Sequence, residues 1–169
     1  MNSAFQEYNH EFAIWTAARA SQRAFTTTQI IKKAINESDL NLMNIDFNFD
    51  SQSKFDLWHD TICKKLISSL KKTAPVEKVT YGRVAKIVNI YLKTAYIIPN
   101  KGKGKSTKFI HPPIDRILLK NLKSKFPEIG IVKISWTLFE EKDYKDIIER
   151  IKKLNFESLW QVEKYWQVE

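Results

Sequence analysis

The chain has 169 residues, enough for one domain whose core needs no covalent cross-link. Its single cysteine, Cys63, excludes an internal disulfide, and the absence of cysteine pairs excludes the usual zinc sites, so we predict no metal and no cofactor. The net charge is +9, and the 43% of hydrophobic residues excludes a chain that is disordered throughout. The lack of a signal peptide and of a long apolar run predicts a soluble, cytoplasmic protein.

The first 73 residues predict three helices and one loop. Four aromatic residues at helical spacing place the first helix at residues 3–22. Thr26 and Gln29 have the spacing of a capping box, so a second helix should follow them. After a loop rich in Asn and Asp, a third amphipathic helix carries His59 and Cys63 near its apolar face, where we interpret both as core residues. The four aromatic residues of the first helix are Phe5, Tyr8, Phe12 and Trp15.

The rest of the chain divides into a central and a C-terminal segment, residues 74–126 and 127–169. A fourth helix begins at the RVAK segment, ends before Pro99 and should carry Lys86 on its outward face. The basic loop 99–111 follows, and the second proline of HPPID suits the first turn of a fifth helix. Residues 129–136 are the only strand candidate, and two more helices complete the chain. The predicted fold class is therefore all-α, a single helical domain of six or seven helices.

Positive charge is concentrated in the middle of the chain. Residues 64–133 hold 17 Lys or Arg against three acids, whereas the remainder holds 11 against 16. A localised positive field of this kind is typical of a surface that binds polyanions. With its interleaved aromatic residues it predicts a nucleic-acid partner, expected to be double-stranded DNA. Lysines that only keep the protein soluble are the alternative, but they would not leave the flanks acidic.

The sequence GKGKS in the basic loop resembles the end of a P-loop. That motif requires a glycine at position 99, where Pro99 stands, and a preceding strand, where a helix is predicted. The HExxH and GxSxG motifs are absent from the sequence, and its three histidines lack ligand spacing. These observations exclude a P-loop NTPase, a zinc protease and an α/β-hydrolase.

Two helix starts in the central segment could carry chemistry. A glycine turn before a helix exposes backbone N–H groups next to a positive helix dipole, so residues 81–85 could hold a phosphate. Asp115 opens the next helix, where the dipole stabilises its charge. Taken alone, Asp115 is more readily an ordinary helix-terminal carboxylate than a catalytic residue.

Two consecutive segments resemble the paired elements of the helix-hairpin-helix DNA glycosylases, and most of all their 8-oxoguanine DNA glycosylase branch. Their sequences are YGRVAKIVNIYLK and HPPIDRILLKNL. The resemblance covers residues 78–122 and implies a helix-hairpin-helix-like centre and a catalytic Asp115. Arg83 stands where that family has its catalytic lysine, and an arginine cannot form a Schiff base, while Lys86 lies one turn later. The resemblance therefore implies a monofunctional enzyme that hydrolyses the N-glycosidic bond of a damaged or modified base.

The resemblance also assigns roles to individual residues. The catalytic residues would be Asp115 and Lys86. The residues that contact DNA would be Lys78, Tyr81, Gly82, Arg83, Lys101, Lys103, Lys105, Lys108, His111 and Arg116. A base pocket near the C-terminus would contain Trp160, Tyr165 and Trp166, for which packing in the core is the alternative.

Two other classes of function fit the same sequence. The first is a nucleic-acid-binding protein without catalysis, in which Asp115 only caps a helix. The second is an interaction protein whose basic face meets an acidic partner protein. Replacement of Asp115 distinguishes an enzyme from a binder, and competition by bulk DNA distinguishes a protein partner.

Overall fold

The structure is a computed structural model that describes residues 3–43, 45–131 and 134–167. These residues form six α-helices and a terminal 3₁₀ helix around one hydrophobic core, and none of them is in a strand. The helices are α1 (Ser3–Ser21), α2 (Thr28–Glu37), α3 (Gln52–Leu70), α4 (Tyr81–Leu92), α5 (Arg116–Lys125), α6 (Glu141–Lys152) and the 3₁₀ helix Leu159–Tyr165. The predicted all-α domain is confirmed, and its helix-hairpin-helix-like centre stays a prediction.

Helix α4 lies at the centre of the core. Ten of its 12 residues are buried, and it contacts α1, α3 and α6. A π-helical turn, Lys93–Ile97, extends it almost to Pro99. Its two residues outside the buried set are Arg83 and Lys86, and the side chain of Lys86 is only 12% exposed. The prediction that Lys86 faces outward is therefore wrong, because the ring of Trp136 and the carboxylate of Asp115 lie against its ammonium group.

Helix α1 turns a face of small residues toward α4 and an aromatic face toward solvent. The fully buried face consists of Ala13, Ile14, Ala17 and Ala18. Small side chains there allow the close approach of two helices, and α1 and α4 make the most extensive helix pair of the fold. The opposite face, which we call the aromatic stripe, consists of Phe5, Tyr8, Phe12 and Trp15, each 45% to 66% exposed.

Two helices begin slightly later than the sequence predicts. The N-cap of α2 is Thr27 rather than Thr26, and its hydroxyl accepts the N–H of Ile30 at 3.3 Å. Pro113 precedes α5 instead of lying in its first turn, because Asp115 is the N-cap. A hydrogen bond from Asn89 of α4 to the carbonyl of Pro112 places the start of α5 next to α4.

The predicted strand at residues 129–136 does not form in the part of the chain that the structure describes. Two 3₁₀ turns, Pro127–Ile129 and Trp136–Leu138, occupy the ends of this segment. Val132 and Lys133 lie outside the described residues. Ile129 and Ile131, two of the alternating apolar residues, are buried in the core.

The turn Trp136–Leu138 covers the N-terminus of α4. The N–H of Gly82 donates to the carbonyl of Phe139 at 2.9 Å. A Cβ on Gly82 would lie 2.2 Å from the carbonyl oxygen of Trp136, so only glycine fits at this close approach. The helix start that was predicted to hold a phosphate therefore already binds a carbonyl group of the protein.

Candidate active site

Lys86 and Asp115 form an ion pair at the junction of α4 and α5. They are 29 residues apart in sequence, and Lys86 Nζ lies 3.5 Å from Asp115 Oδ2. The two side chains are only 12% and 14% exposed. The structure thus brings together the two residues that the sequence predicts as catalytic.

Asn89 holds the backbone that positions this pair. It lies one turn after Lys86 on α4, and its amide donates to the carbonyl of Pro112 at 3.0 Å, three residues before Asp115. This hydrogen bond ties the extended segment before α5 to the helix that carries Lys86. The pair is therefore set by the fold rather than by two flexible surface side chains.

The carboxylate of Asp115 is held by three donors from three parts of the chain. Its Oδ1 accepts the N–H of Leu118 at 3.0 Å, as an N-cap does. Its Oδ2 accepts the indole N–H of Trp166 at 2.8 Å and faces the ammonium of Lys86. Fixed donors of this kind orient the carboxylate toward the neighbouring amine.

Burial lowers the pKa of the Lys86 ammonium, against the charge of Asp115, which raises it. The nearby Arg83 also lowers this pKa. The ammonium lies 4.6 Å from the ring centroid of Trp136, a cation–π contact. An amine whose charged form is destabilised by burial is easier to deprotonate, which is the condition that a lysine nucleophile needs.

The pair lies in a cleft of about 490 Å³, within the size range of small-ligand sites. One wall is the exposed face of α1, with Phe12 and Trp15, and another is Trp166 near the C-terminus. Lys93 and Glu163, which form an ion pair with each other, also line it. The cleft combines flat aromatic walls with two ion pairs, so it suits a planar polar ligand.

The structure separates the three aromatic residues predicted for the base pocket. Trp166 lines the cleft and bonds to Asp115. Trp160 lines a neighbouring cavity of about 550 Å³, and the ring of Tyr165 packs at 5.2 Å from that of Phe126. Only Trp166 is therefore placed to contact a ligand beside Asp115. Phe12 and Trp15, whose spacing in the sequence indicates only a helix, line the cleft together with Trp166.

The basic loop presents its lysines from an ordered base. Ser106 is fully buried, and its hydroxyl accepts the N–H of Phe49 at 2.7 Å and donates to the carbonyl of Phe47 at 3.1 Å. Gly102, in the left-handed region at φ 72°, lies against the ring of Trp160. The predicted DNA contacts that are exposed and form no ion pair with a described residue are Lys78, Lys101, Lys103, Lys105, Lys108 and Arg116.

The other predicted DNA contacts lie inside the protein. Tyr81 is buried and donates its hydroxyl hydrogen to Asp60 at 2.9 Å, and Gly82 lies beneath Trp136–Leu138. His111 is buried in the polar network described below. In this conformation none of the three is available to a phosphate. Arg83 is half-buried, with its guanidinium over the ring of Phe25 at 5.1 Å.

A buried polar network links α3, α4 and α6 behind the cleft. His111 Nε2 lies 2.9 Å from Asp56, and His111 Nδ1 lies 3.0 Å from the hydroxyl of Tyr144. The amide nitrogen of Asn89 donates to the hydroxyl of Tyr144 at 2.9 Å, and its Oδ1 lies 2.8 Å from His59 Nε2. Burial lowers the pKa of His59 to about 3, with the proximity of His111 adding to the effect. The pKa of His111 is also lowered by burial, against the hydrogen bond to Asp56.

Acidification is expected to destabilise the fold through His59. The unfolded chain takes up a proton below about pH 6.5, whereas folded His59 stays neutral down to about pH 3, so stability falls as the pH drops through this window. His59 alone should lower the free energy of unfolding by about 2 kcal/mol between pH 7 and pH 5. Urea titrations at both pH values measure the difference, and His59→Gln should reduce it. Equal stability of the wild-type protein at the two pH values would contradict the assignment.

Within the described residues, no cluster of His, Cys, Asp or Glu is arranged to hold a metal ion. Over the same part of the chain, no helix combines the length and the apolar character that a membrane crossing requires. Comparisons with protein families, with curated proteins and with solved structures find no match. The case for a function therefore depends on the geometry of the site.

Proposed function

We propose that this protein binds DNA and cleaves the N-glycosidic bond of a damaged or modified base, with Lys86 and Asp115 as the reacting groups. The observation that carries the proposal is the meeting of a buried lysine and a helix-capping carboxylate in a cleft with aromatic walls. The resemblance of residues 78–122 to the helix-hairpin-helix DNA glycosylases supports base excision. It implies direct hydrolysis by a monofunctional enzyme, whereas the position of Lys86 beside Asp115 favours attack by the lysine amine. Lys86, rather than Arg83, takes the position beside the carboxylate.

The two groups divide the reaction between them. The unprotonated amine of Lys86 attacks the sugar carbon C1′ while the bond from C1′ to the base breaks, and the base leaves with the electron pair of that bond and takes up a proton from water. The sugar ring then opens to a Schiff base with Lys86, and water hydrolyses this Schiff base to free the amine and leave an abasic site. Asp115, 3.5 Å away, accepts the proton that the amine loses and offsets the positive charge on the sugar. The lowered pKa of Lys86 favours the unprotonated amine that this step requires.

The cleft and the loop meet the two requirements of an enzyme that acts on an extruded base. Extrusion costs a few kcal/mol, so the DNA backbone must be held firmly while the base enters a pocket. The exposed loop lysines contact the backbone, and Phe12, Trp15 and Trp166 stack against the base. The loop is close to the cleft. Gly102 of the loop packs against the ring of Trp160, which lines the neighbouring cavity, and Lys93 and Ile98 line both that cavity and the cleft.

Base release is the experiment that tests this proposal. The purified protein is incubated with duplexes that carry 8-oxoguanine, uracil or an alkylated purine, and free base and abasic sites are quantified. Release from at least one duplex is expected, and it should require both Lys86 and Asp115. The absence of release from every duplex, with binding intact, would reject the catalytic part of the proposal.

The loop lysines are expected to set the salt dependence of duplex binding. Replacing Lys103 and Lys105 with glutamine should reduce the slope of log Kd against log salt concentration by about 1.8, because each phosphate contact contributes about 0.9. Lys142 and Lys153, exposed lysines of α6 and its C-terminal end, provide a matched pair. Their replacement removes the same charge and should leave the slope almost unchanged. Equal effects of the two pairs would show that the loop is not a specific contact.

A non-catalytic DNA-binding protein is the second candidate, and one observation favours it. Both carboxylate oxygens of Asp115 already have donors within the protein, namely Leu118, Trp166 and Lys86. In that case the pair only joins α4, α5 and the C-terminal segment. Binding without base release, together with a large loss of stability in Lys86→Met, would support this candidate.

A further inference from the structure

The aromatic stripe of α1 continues one wall of the cleft across the outside of the protein. Phe12 and Trp15 line the cleft, and their ring centroids are 5.8 Å apart. Tyr8 follows at 6.2 Å from Phe12, with the two ring planes only 6° apart, and Phe5 lies one turn further. Four exposed aromatic rings therefore form a row that begins in the cleft and leads away from it.

The other end of this row is positively charged. Arg19 follows Trp15 by one helical turn, and Arg23 lies two residues before Phe25, whose ring is beneath the guanidinium of Arg83. None of the three arginines forms an ion pair with a residue in the described part of the chain. The Nε of Arg83 is buried without any hydrogen-bond partner. Arg19 is therefore next to the exposed ring of Trp15, and Arg83 lies over the buried ring of Phe25. Cations without an acidic partner at one end of an exposed aromatic row are suited to a partner that has both phosphates and flat rings.

The acidic residues of α1 restrict how such a partner can lie. By helical periodicity, Glu7 and Glu11 are on one side of the stripe, and Thr16 and Ala20, which line the cleft, are on the other. Phosphates would be repelled on the glutamate side. On the cleft side the two carboxylates, Asp115 and Glu163, are neutralised by Lys86 and Lys93, so no such repulsion acts there. A bound strand must therefore run along the stripe with its backbone toward the cleft.

We propose that the aromatic stripe binds unpaired nucleotides of a DNA strand, with bases on the rings and phosphates toward the arginines and the cleft. Stacking on protein aromatic rings beside a positive groove is the general mode of single-strand binding. The rings are about 6 Å apart, wider than the 3.4 Å spacing of a duplex strand, so they match bases that are no longer stacked on each other. The base that enters the cleft is then flanked on the same strand by nucleotides that are unpaired in the complex. This inference rests on the DNA binding of the proposed function but not on its chemistry.

Fluorescence anisotropy with a labelled oligothymidine tests this inference. The variant Phe5→Ala with Tyr8→Ala removes two rings outside the cleft, and it should weaken oligothymidine binding by about tenfold or more while leaving binding to a fully paired duplex unchanged. Leu57→Ala, which truncates an apolar side chain of α3 that is 70% exposed, is the matched control. Circular dichroism should show that both variants melt like the wild-type protein.

Three results would overturn the inference. The first is that the wild-type protein binds no oligothymidine, and the second is that the double variant binds oligothymidine with the same affinity as the wild-type protein. The third result is that the wild-type protein is a dimer, the double variant is a monomer, and the two bind DNA equally. The last result would make the stripe a contact between two copies of the chain. Base release is scored with the same protein preparations on the duplexes that carry modified bases. A stripe that binds single strands in a protein that releases no base would leave this inference standing and reject only the proposed chemistry.

Discussion

Asp115→Asn is expected to abolish base release while DNA binding persists. Asparagine caps a helix about as well as aspartate, so the N–H of Leu118 keeps its acceptor and α5 keeps its start. The amide can neither accept a proton from Lys86 nor balance the charge of the sugar. A loss of about 10² to 10⁴ in the single-turnover rate follows from the removal of a positioned proton acceptor.

The measurement is single-turnover release of base from the best duplex of the panel, with Kd determined by anisotropy on the same duplex. Asp50→Asn is the matched control, since Asp50 is an exposed carboxylate that only pairs with Lys54. It should leave both the rate and the Kd unchanged. An Asp115→Asn protein that releases base at the wild-type rate would show that Asp115 is only a cap.

The second large effect is expected for Asn89→Ala, which should lower the free energy of unfolding by about 4 kcal/mol. Asn89 is fully buried and makes hydrogen bonds to His59, Pro112 and Tyr144. Its removal leaves three buried polar groups without that partner and opens a small cavity. A loss of this size is a large fraction of the stability of a typical domain.

Urea unfolding of the two proteins measures this loss. Thr94→Val on the same helical stretch is the matched control, because Thr94 is buried and its hydroxyl makes one local hydrogen bond to Ile90. That variant should lose only about 1 kcal/mol. If both substitutions cost the same, Asn89 would be an ordinary buried residue rather than the centre of the network.

The aromatic residues of α1 show what periodicity can and cannot predict. Their 3.6-residue spacing correctly predicts a helix, but it does not say which face is buried. The opposite face contains Ala13, Ala17 and Ala18, small residues that permit close contact with α4. That alanine face was the signal for burial in the sequence, and it would have identified the aromatic stripe as the exposed side.

The Lys86 and Asp115 pair shows the value and the limit of a motif. The two short motifs identify both residues, but the spacing of neither motif shows that Lys86 rather than Arg83 approaches the carboxylate. That choice depends on the contact of Asn89 with Pro112, which joins distant parts of the chain. Long-range contacts of this kind leave no local pattern in one sequence.

Gly82 illustrates a local pattern with a different cause. A glycine at a helix start predicts exposed N–H groups, and here it serves a close contact with the carbonyl of Trp136. His111 similarly follows a basic loop in sequence but points into the core toward Asp56 and Tyr144. In both positions the role of the residue is decided by tertiary packing, which a single sequence does not show.

Trapping of a covalent intermediate tests the central claim most directly. If the amine of Lys86 attacks C1′, reduction with borohydride during the reaction should attach the DNA strand to the protein, and mass spectrometry should find it on the peptide that contains Lys86. Lys86→Gln should give no adduct although it still binds the duplex. Base release without any adduct, or an adduct on another lysine, would contradict the assignment of Lys86 and Asp115 as the reacting pair.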